Sequence, residues 1–147
     1  MRGAAILSPR LIVVAPGIRA APISALEGVV AQRLVPKICV HCREPVAPTP
    51  AQLQRLSGLF ASSQMPTYHG KGCDHCYNSG YRGRAGLYEV LIPDDELRHL
   101  MTRGDSIQAI TQMAKSKGMK TLLDDARDKV VQGVTTLDEI LRVLGPQ

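Results

Sequence analysis

The sequence contains no tryptophan, one phenylalanine and four tyrosines in 147 residues, so any core it builds has to be aliphatic. It has no run of Lys or Arg and no basic stretch interleaved with aromatics. The balance of 18 Lys and Arg against 13 Asp and Glu leaves +5, which permits an acidic partner such as nucleic acid or anionic lipid without demanding one. No stretch is long and apolar enough to span a bilayer. The apolar burst from Leu11 to Ala15, flanked by Pro9 and Pro16, is too short for that and too interrupted for a signal peptide, so it reads as a short strand or an irregular segment. Also absent is GxxxxGK[ST], the string that cradles nucleotide phosphates between a strand and a helix. Gly17, Gly28 and Lys37 do not combine into one, and no acidic residue follows a strand in the manner that would hold Mg²⁺.

Cysteine is scarce too, and its placement is informative. The four cysteines form two CxxC pairs, Cys39 with Cys42 (ICVHC) and Cys73 with Cys76 (GCDHC). Two residues between cysteines let a tight turn aim both sulfurs at one ion, and two such turns together make the tetrahedral four-sulfur site of a structural Zn²⁺. The same ligands suit an iron–sulfur cluster, and two disulfides, a redox CxxC and a decayed or empty site are the remaining readings. Confinement to CxxC pairs favours a reducing compartment and a metal over a secreted disulfide scaffold. Between the pairs the chain must fold as a small unit and return, an entropic cost that rises slowly with length and that a bound metal offsets. His41, His69 and His75 lie nearby, but four thiolates already complete a tetrahedron. A side chain inside a CxxC turn points away from the metal, so His41 and His75 are expected exposed or as outer hydrogen-bond donors.

Periodicity places the flanking elements. Leu26, Val29, Val30 and Leu34 fall near helical spacing, with Ser24 as N-cap and Glu27 as its capping-box partner, which predicts a helix over 24–36 stopped at Pro36. Thr49 followed by Pro50 opens a second helix running to Phe60, with Leu53, Leu56, Leu59 and Phe60 on one side. The glycines at 80, 83 and 86 read as turns beside a metal knuckle, and Ala85 to Leu91 as a strand. After Pro93 the pattern is helical: Asp94 and Asp95 open one helix, Gly104 and Asp105 introduce a second that Gly118 stops, Met119 to Val131 form a third ended by Gly133, and Thr136 with Glu139 cap a fourth carrying Leu137, Ile140, Leu141 and Leu144. Asp124, Asp125 and Asp128 read as a solvated helix face rather than as a carboxylate site.

The strings AQRLVPKICVHC, CDHCYNSGYRGRAGLYEVL and GMKTLLDDARDKVVQGVTTLDEILRVL together resemble the C-terminal part of the type II secretion ATPases and the type IV pilus assembly ATPases close to them. The resemblance runs from about Leu26 to Gly145, and paired CxxC motifs followed by GYRGRxGxYEVL are far more specific than either pair alone. It implies an α+β, mainly helical fold: a small four-cysteine zinc subdomain over 37–92 and a C-terminal helical subdomain over 93–147, as a fragment of a RecA-like motor's C-terminal domain. The helix over 24–36 would lead in from the motor core, and residues 1–23 would fall outside the match. It implies Cys39, Cys42, Cys73 and Cys76 as zinc ligands and Arg82 and Arg84 as partner contacts on a turn held by the metal. No catalytic residue is expected, and ATP with Mg²⁺ belongs to the full-length family rather than to these residues, as in a truncated or separately encoded tail. The implied partners are the remaining ATPase domain or a hexameric motor and the inner-membrane platform proteins, at the cytoplasmic face. A free-standing zinc ribbon that binds nucleic acid is the alternative, weakened by the lack of stacking aromatics beyond Tyr77 and Tyr81. CDHCYNSGYRG is also similar to the zinc repeats of DnaJ-type cochaperones, but Asn78 stands where those repeats place glycine.

Overall fold

A computed structural model describes residues 10–14, 23–55 and 66–145. These form a mixed α/β structure with strands β1 (Arg10–Val14), β2 (Gly28–Ile38), β3 (Arg43–Val46), β4 (Thr67–Gly70) and β5 (Tyr81–Leu91), and helices α1 (Pro50–Arg55), α2 (Asp95–Arg103), α3 (Ile107–Ser116), α4 (Leu122–Val131) and α5 (Leu137–Leu144). One sheet has the order β1-β2-β5 and a second pairs β3 with β4. The chain divides into two compact units, residues 1–33 with 88–121 and residues 34–87 with 122–147, so that β2 and β5 each continue from one into the other. Strand is more prominent than the mainly helical expectation allowed. Of the helices after Pro93, α2 and α3 belong to the first unit and α4 and α5 to the second.

The helix expected over 24–36 is not there. A single 3-10 turn, Ile23–Ala25, is followed directly by β2. Val29, Val30, Val35 and Ile38 are β-branched and lose side-chain freedom in a helix but fit a pleated surface. Their strand is secured by antiparallel pairing with β1, from Arg10 opposite Gln32 to Val14 opposite Gly28. Pro36 lies beyond that ladder, where the N–H it lacks is not needed on the β1 side. Its carbonyl accepts from Thr135 Oγ1 at 2.9 Å. The short strand read near Leu11 is β1, and the one read at Ala85–Leu91 begins earlier, at Tyr81.

In the first unit, Asp94 caps α2 by accepting from Leu97 N at 3.0 Å, and Ser106 caps α3 by accepting from Ala109 N at 3.2 Å. Gly104, at φ 75°, closes α2 in the left-handed conformation that costs glycine little. Leu97 and Ala114 are buried. Arg98 Nη1 ties α2 to the 3-10 turn by donating to the carbonyls of Ile23 and Ser24. Lys117 pairs with Asp94 and Glu96.

In the second unit an aliphatic core joins Val35 and Leu87 of the strands to Ala126, Val130, Leu137, Ile140 and Leu141 of α4 and α5. Thr136 accepts from Glu139 N at 3.3 Å, as its capping role predicts, while the Glu139 carboxylate pairs with Arg142. Thr49 and Gln52 bond reciprocally at the start of α1, Thr49 N donating to Gln52 Oε1 at 2.8 Å and Gln52 N to Thr49 Oγ1 at 3.3 Å. Leu56, Leu59 and Phe60, expected on the far half of that helix, lie outside the described residues.

Candidate metal centre

The two CxxC turns meet. Cys39 and Cys42 follow β2, Cys73 precedes and Cys76 ends the short 3-10 turn Asp74–Cys76, and the four sulfurs all lie within 4.8 Å of one another. Sulfurs held at a Zn–S distance of ~2.3 Å in a tetrahedron are about 3.8 Å apart. The Sγ separations are 3.9 Å for Cys39 and Cys73, 3.8 Å for Cys42 and Cys76, and 3.7 Å for Cys73 and Cys76. The donor set therefore fits one tetrahedral ion.

Backbone amides favour the thiolate at Cys76. Cys76 Sγ accepts from the amides of Cys73 at 3.2 Å and Gly80 at 3.3 Å. Burial alone would push the Cys76 thiol up, but these amides and the neighbouring Cys73 and Cys42 thiols outweigh it and bring its pKa down to about 6. Burial pushes Cys42 up to about 12 and raises Cys73 as well. Cys39, Cys42 and Cys76 are buried while Cys73 is only partly so.

Closure depends on Gly80, read from the sequence as a turn, and on Gly70, which the sequence did not single out. A Cβ on Gly80 (φ 76°) would lie 2.3 Å from the carbonyl oxygen of Gly70, and one on Gly70 would lie 2.1 Å from that of Gly80. The end of β4 thus passes backbone to backbone against the start of β5, where no side chain fits. Cys39 N donates to Gly80 O at 2.9 Å, fixing the first turn to the strand that leaves the second.

The centre is also fastened to the turn between α4 and α5. Arg43 lies over the Tyr68 ring, 5.1 Å from its centroid, and donates to the carbonyls of Gln132 and Gly133. Gly133 (φ 68°) leaves room for both side chains. Ile38 N donates to Val134 O at 2.9 Å, and the Tyr81 hydroxyl meets Thr136 Oγ1 at 3.0 Å.

His41 and His75 are exposed, as their place inside the turns predicts, and their rings stack at 4.0 Å. None of the histidines joins the sulfur cluster among the described residues. His69 sits on β4 opposite Glu44, with Nδ1 buried and without a hydrogen-bond partner. Asp125 is paired with Lys129 one turn on, and the Asp124–Asp128 face forms no candidate metal group. Arg82 and Arg84 are exposed on β5 itself, rather than on a turn ahead of it.

The sequence profile described as Type II/IV secretion system protein matches residues 14–142. The chain belongs to that family. The match starts earlier than Leu26, where the resemblance in the motifs begins. Among curated relatives, the chain is 45% identical over 119 residues to the type IV pilus assembly ATPase PilB of Thermus thermophilus, covering 80% of the chain and 13% of that protein. It is 40% identical over 120 residues to type II secretion system protein E of Pseudomonas aeruginosa, and 38% identical over 120 residues to type II secretion system ATPase E of Vibrio cholerae, covering in each case 82% of the chain and 24% of the relative. The chain thus spans between about an eighth and a quarter of the length of these family members. No helix among the described residues is long and apolar enough to cross a membrane.

Proposed function

We propose that the chain is a zinc-bearing structural and docking region of a secretion or pilus assembly motor, corresponding to the C-terminal domain of its RecA-like part. Cys39, Cys42, Cys73 and Cys76 would hold one structural Zn²⁺. The observation that carries this is the Sγ separations of 3.9, 3.8 and 3.7 Å, which match edges of a zinc–thiolate tetrahedron, with all four sulfurs within 4.8 Å of one another. Four protein ligands leave no open position for water or substrate, so the metal would supply rigidity rather than Lewis acidity. The residues in hand hold no phosphate loop, and the region would act by contact with the nucleotide-binding part of a motor, or with inner-membrane platform proteins at the cytoplasmic face. Arg82 and Arg84 are the contact residues in this reading.

Metal analysis of reduced protein tests it, with about one zinc per chain expected. Folded, metal-free protein with four reactive thiols would end the proposal. Binding is expected to weaken as pH falls, because the metal takes thiolates and the protons of Cys42 and Cys73, whose pKa values are raised, must leave. Each such proton lowers the apparent affinity roughly tenfold per pH unit. Titration with a fluorescent ATP analogue is expected to give no saturable, Mg²⁺-dependent binding to these residues.

A further inference from the structure

We infer that Lys37, Arg82 and Arg84 form a docking surface for an acidic helix of a partner protein. The inference rests on the docking role proposed above and names the chemistry of the partner.

Cys39 N bonds to Gly80 O, and β2 neighbours β5 in the sheet. The Gln32 amide meets the Tyr88 hydroxyl further along, so the two strands run antiparallel. Two residues back along β2 and two forward along β5 from the Cys39–Gly80 bond, Lys37 stands beside Arg82. Cross-strand neighbours share a face with their Cβ atoms about 5 Å apart, and like charges in that relation are destabilising. Arg84 follows two positions on. Gly83 between them, at φ 76° and open to solvent, interrupts the regular pleat as a bulge does and re-aims the side chains beside it.

Counter-charge is missing. Among the described side chains of the second unit, Lys37, Arg82 and Arg84 are the cations without a hydrogen bond or ion pair, and all three are exposed. Lys71 has Glu44, Lys129 has Asp125, Arg142 has Glu139, and Arg43 has two carbonyls and the Tyr68 ring. The described carboxylates of the unit are likewise engaged, Asp74 excepted. One edge charge is enough to discourage unwanted strand pairing. Three together, one placed against its neighbour, call for an anion from outside.

Spacing identifies the anion. Arg82 and Arg84 are two residues apart, at most about 7 Å along the chain whatever Gly83 does to the pleat, and their long side chains reach carboxylates ~5–6 Å apart, the Cβ separation of one helical turn. Carboxylates at i and i+4 of a helix would meet Arg82 and Arg84, whose planar guanidinium groups suit carboxylates. Nucleic acid is the less favoured occupant, because a stacking platform should adjoin the cations. The ring next to Arg82 in the sequence, Tyr81, is half-buried and its hydroxyl meets Thr136 Oγ1.

The test uses the full zinc-loaded chain and a fluorescein-labelled helical peptide with Glu at every fourth position, beside its Gln twin and a single-stranded DNA oligonucleotide, read by fluorescence anisotropy. The Glu peptide is expected to bind saturably, more tightly than the oligonucleotide, and the Gln twin not to bind. Arg82→Glu should weaken the Glu peptide by about tenfold or more, whereas Lys115→Glu, with the same change in net charge at an exposed site on α3, should alter it by less than about twofold. Equal weakening by the two variants would reduce the effect to net charge and overturn the inference. So would tighter binding of the oligonucleotide than of the Glu peptide, abolished by Arg82→Glu. Zinc content is measured on every sample: a chain that holds zinc and ignores the Glu peptide refutes this surface and leaves the metal reading standing. If Arg82→Glu loses zinc, Arg82→Gln is read in its place, and unaltered Glu-peptide binding by it counts against the inference.

Discussion

The second unit contains two buried clusters held by different physics. One, around Val35, Leu87, Ala126, Val130, Ile140 and Leu141, is aliphatic and draws its stability from removing apolar surface from water. The other consists of Cys39, Cys42 and Cys76 with Cys73 at its edge, too little apolar surface to fold a loop of its size. The first tolerates approximate packing at a graded cost. On the proposed zinc reading the second would need an ion and near-tetrahedral geometry, so its failure would be abrupt. Arg43, Tyr81 and the Ile38 amide tie one to the other through the turn between α4 and α5.

Removing the metal should break the comparison most widely. Structural zinc sites carry roughly 10–16 kcal/mol of apparent binding free energy. Chelation, or Cys76→Ser, is expected to erase hydrogen-exchange protection at the amides of Cys39, Cys76 and Asn78 while those of Val130 and Ile140 keep most of theirs. Equal loss in both clusters would mean that they fold as one.

Backbone contact offers the next largest effect. Gly80→Ala places a methyl 2.3 Å from Gly70 O in a left-handed conformation, whereas Gly83→Ala meets nothing within 4 Å at the same φ of 76°. The expected result is a loss of zinc retention for the first and a cost of about 1 kcal/mol for the second. Equal zinc retention by the two variants would show that the close approach can relax.

The aliphatic cluster should respond by degree. Ile140→Ala empties part of a core position that is 1% exposed and is expected to cost about 2–5 kcal/mol in denaturant unfolding with zinc content unchanged. Zinc loss there would mean that the helices hold the metal turns and not only the reverse.

Thr136→Ala is the mildest change, removing the α5 cap and the partner of the Tyr81 hydroxyl at about 1–2 kcal/mol. Tyr81→Phe keeps the cap and should cost less. If the two cost the same, the bond to the strand carries more than the cap.

The four-cysteine cluster was legible because CxxC is a local device: the turn that aims two sulfurs together is written in consecutive residues. The caps at Thr49 and Thr136 were legible for the same reason, since a cap bonds to an amide three residues away; Asp94 was read only as an acidic helix opening, and the Ser106 cap was missed in favour of Gly104 and Asp105. Gly70 was not, because its constraint comes from Gly80, and nothing near either residue names the other. Arg43 was missed likewise, since its carbonyl partners lie some ninety residues on.

The sequence by itself determined the four-cysteine cluster, the aliphatic character of the core, most helix starts and the family, since each is carried by side-chain chemistry over short spans. Tertiary structure alone decided the state of residues 24–36. Leu26, Val29, Val30 and Leu34 satisfy helical spacing, yet the segment from Gly28 is a strand, because β1 and β5 offer it a ladder and β-branched side chains favour the pleat. Only the fold, too, set Lys37 beside Arg82: proximity across a sheet depends on register, and register is fixed by partners distant in the chain.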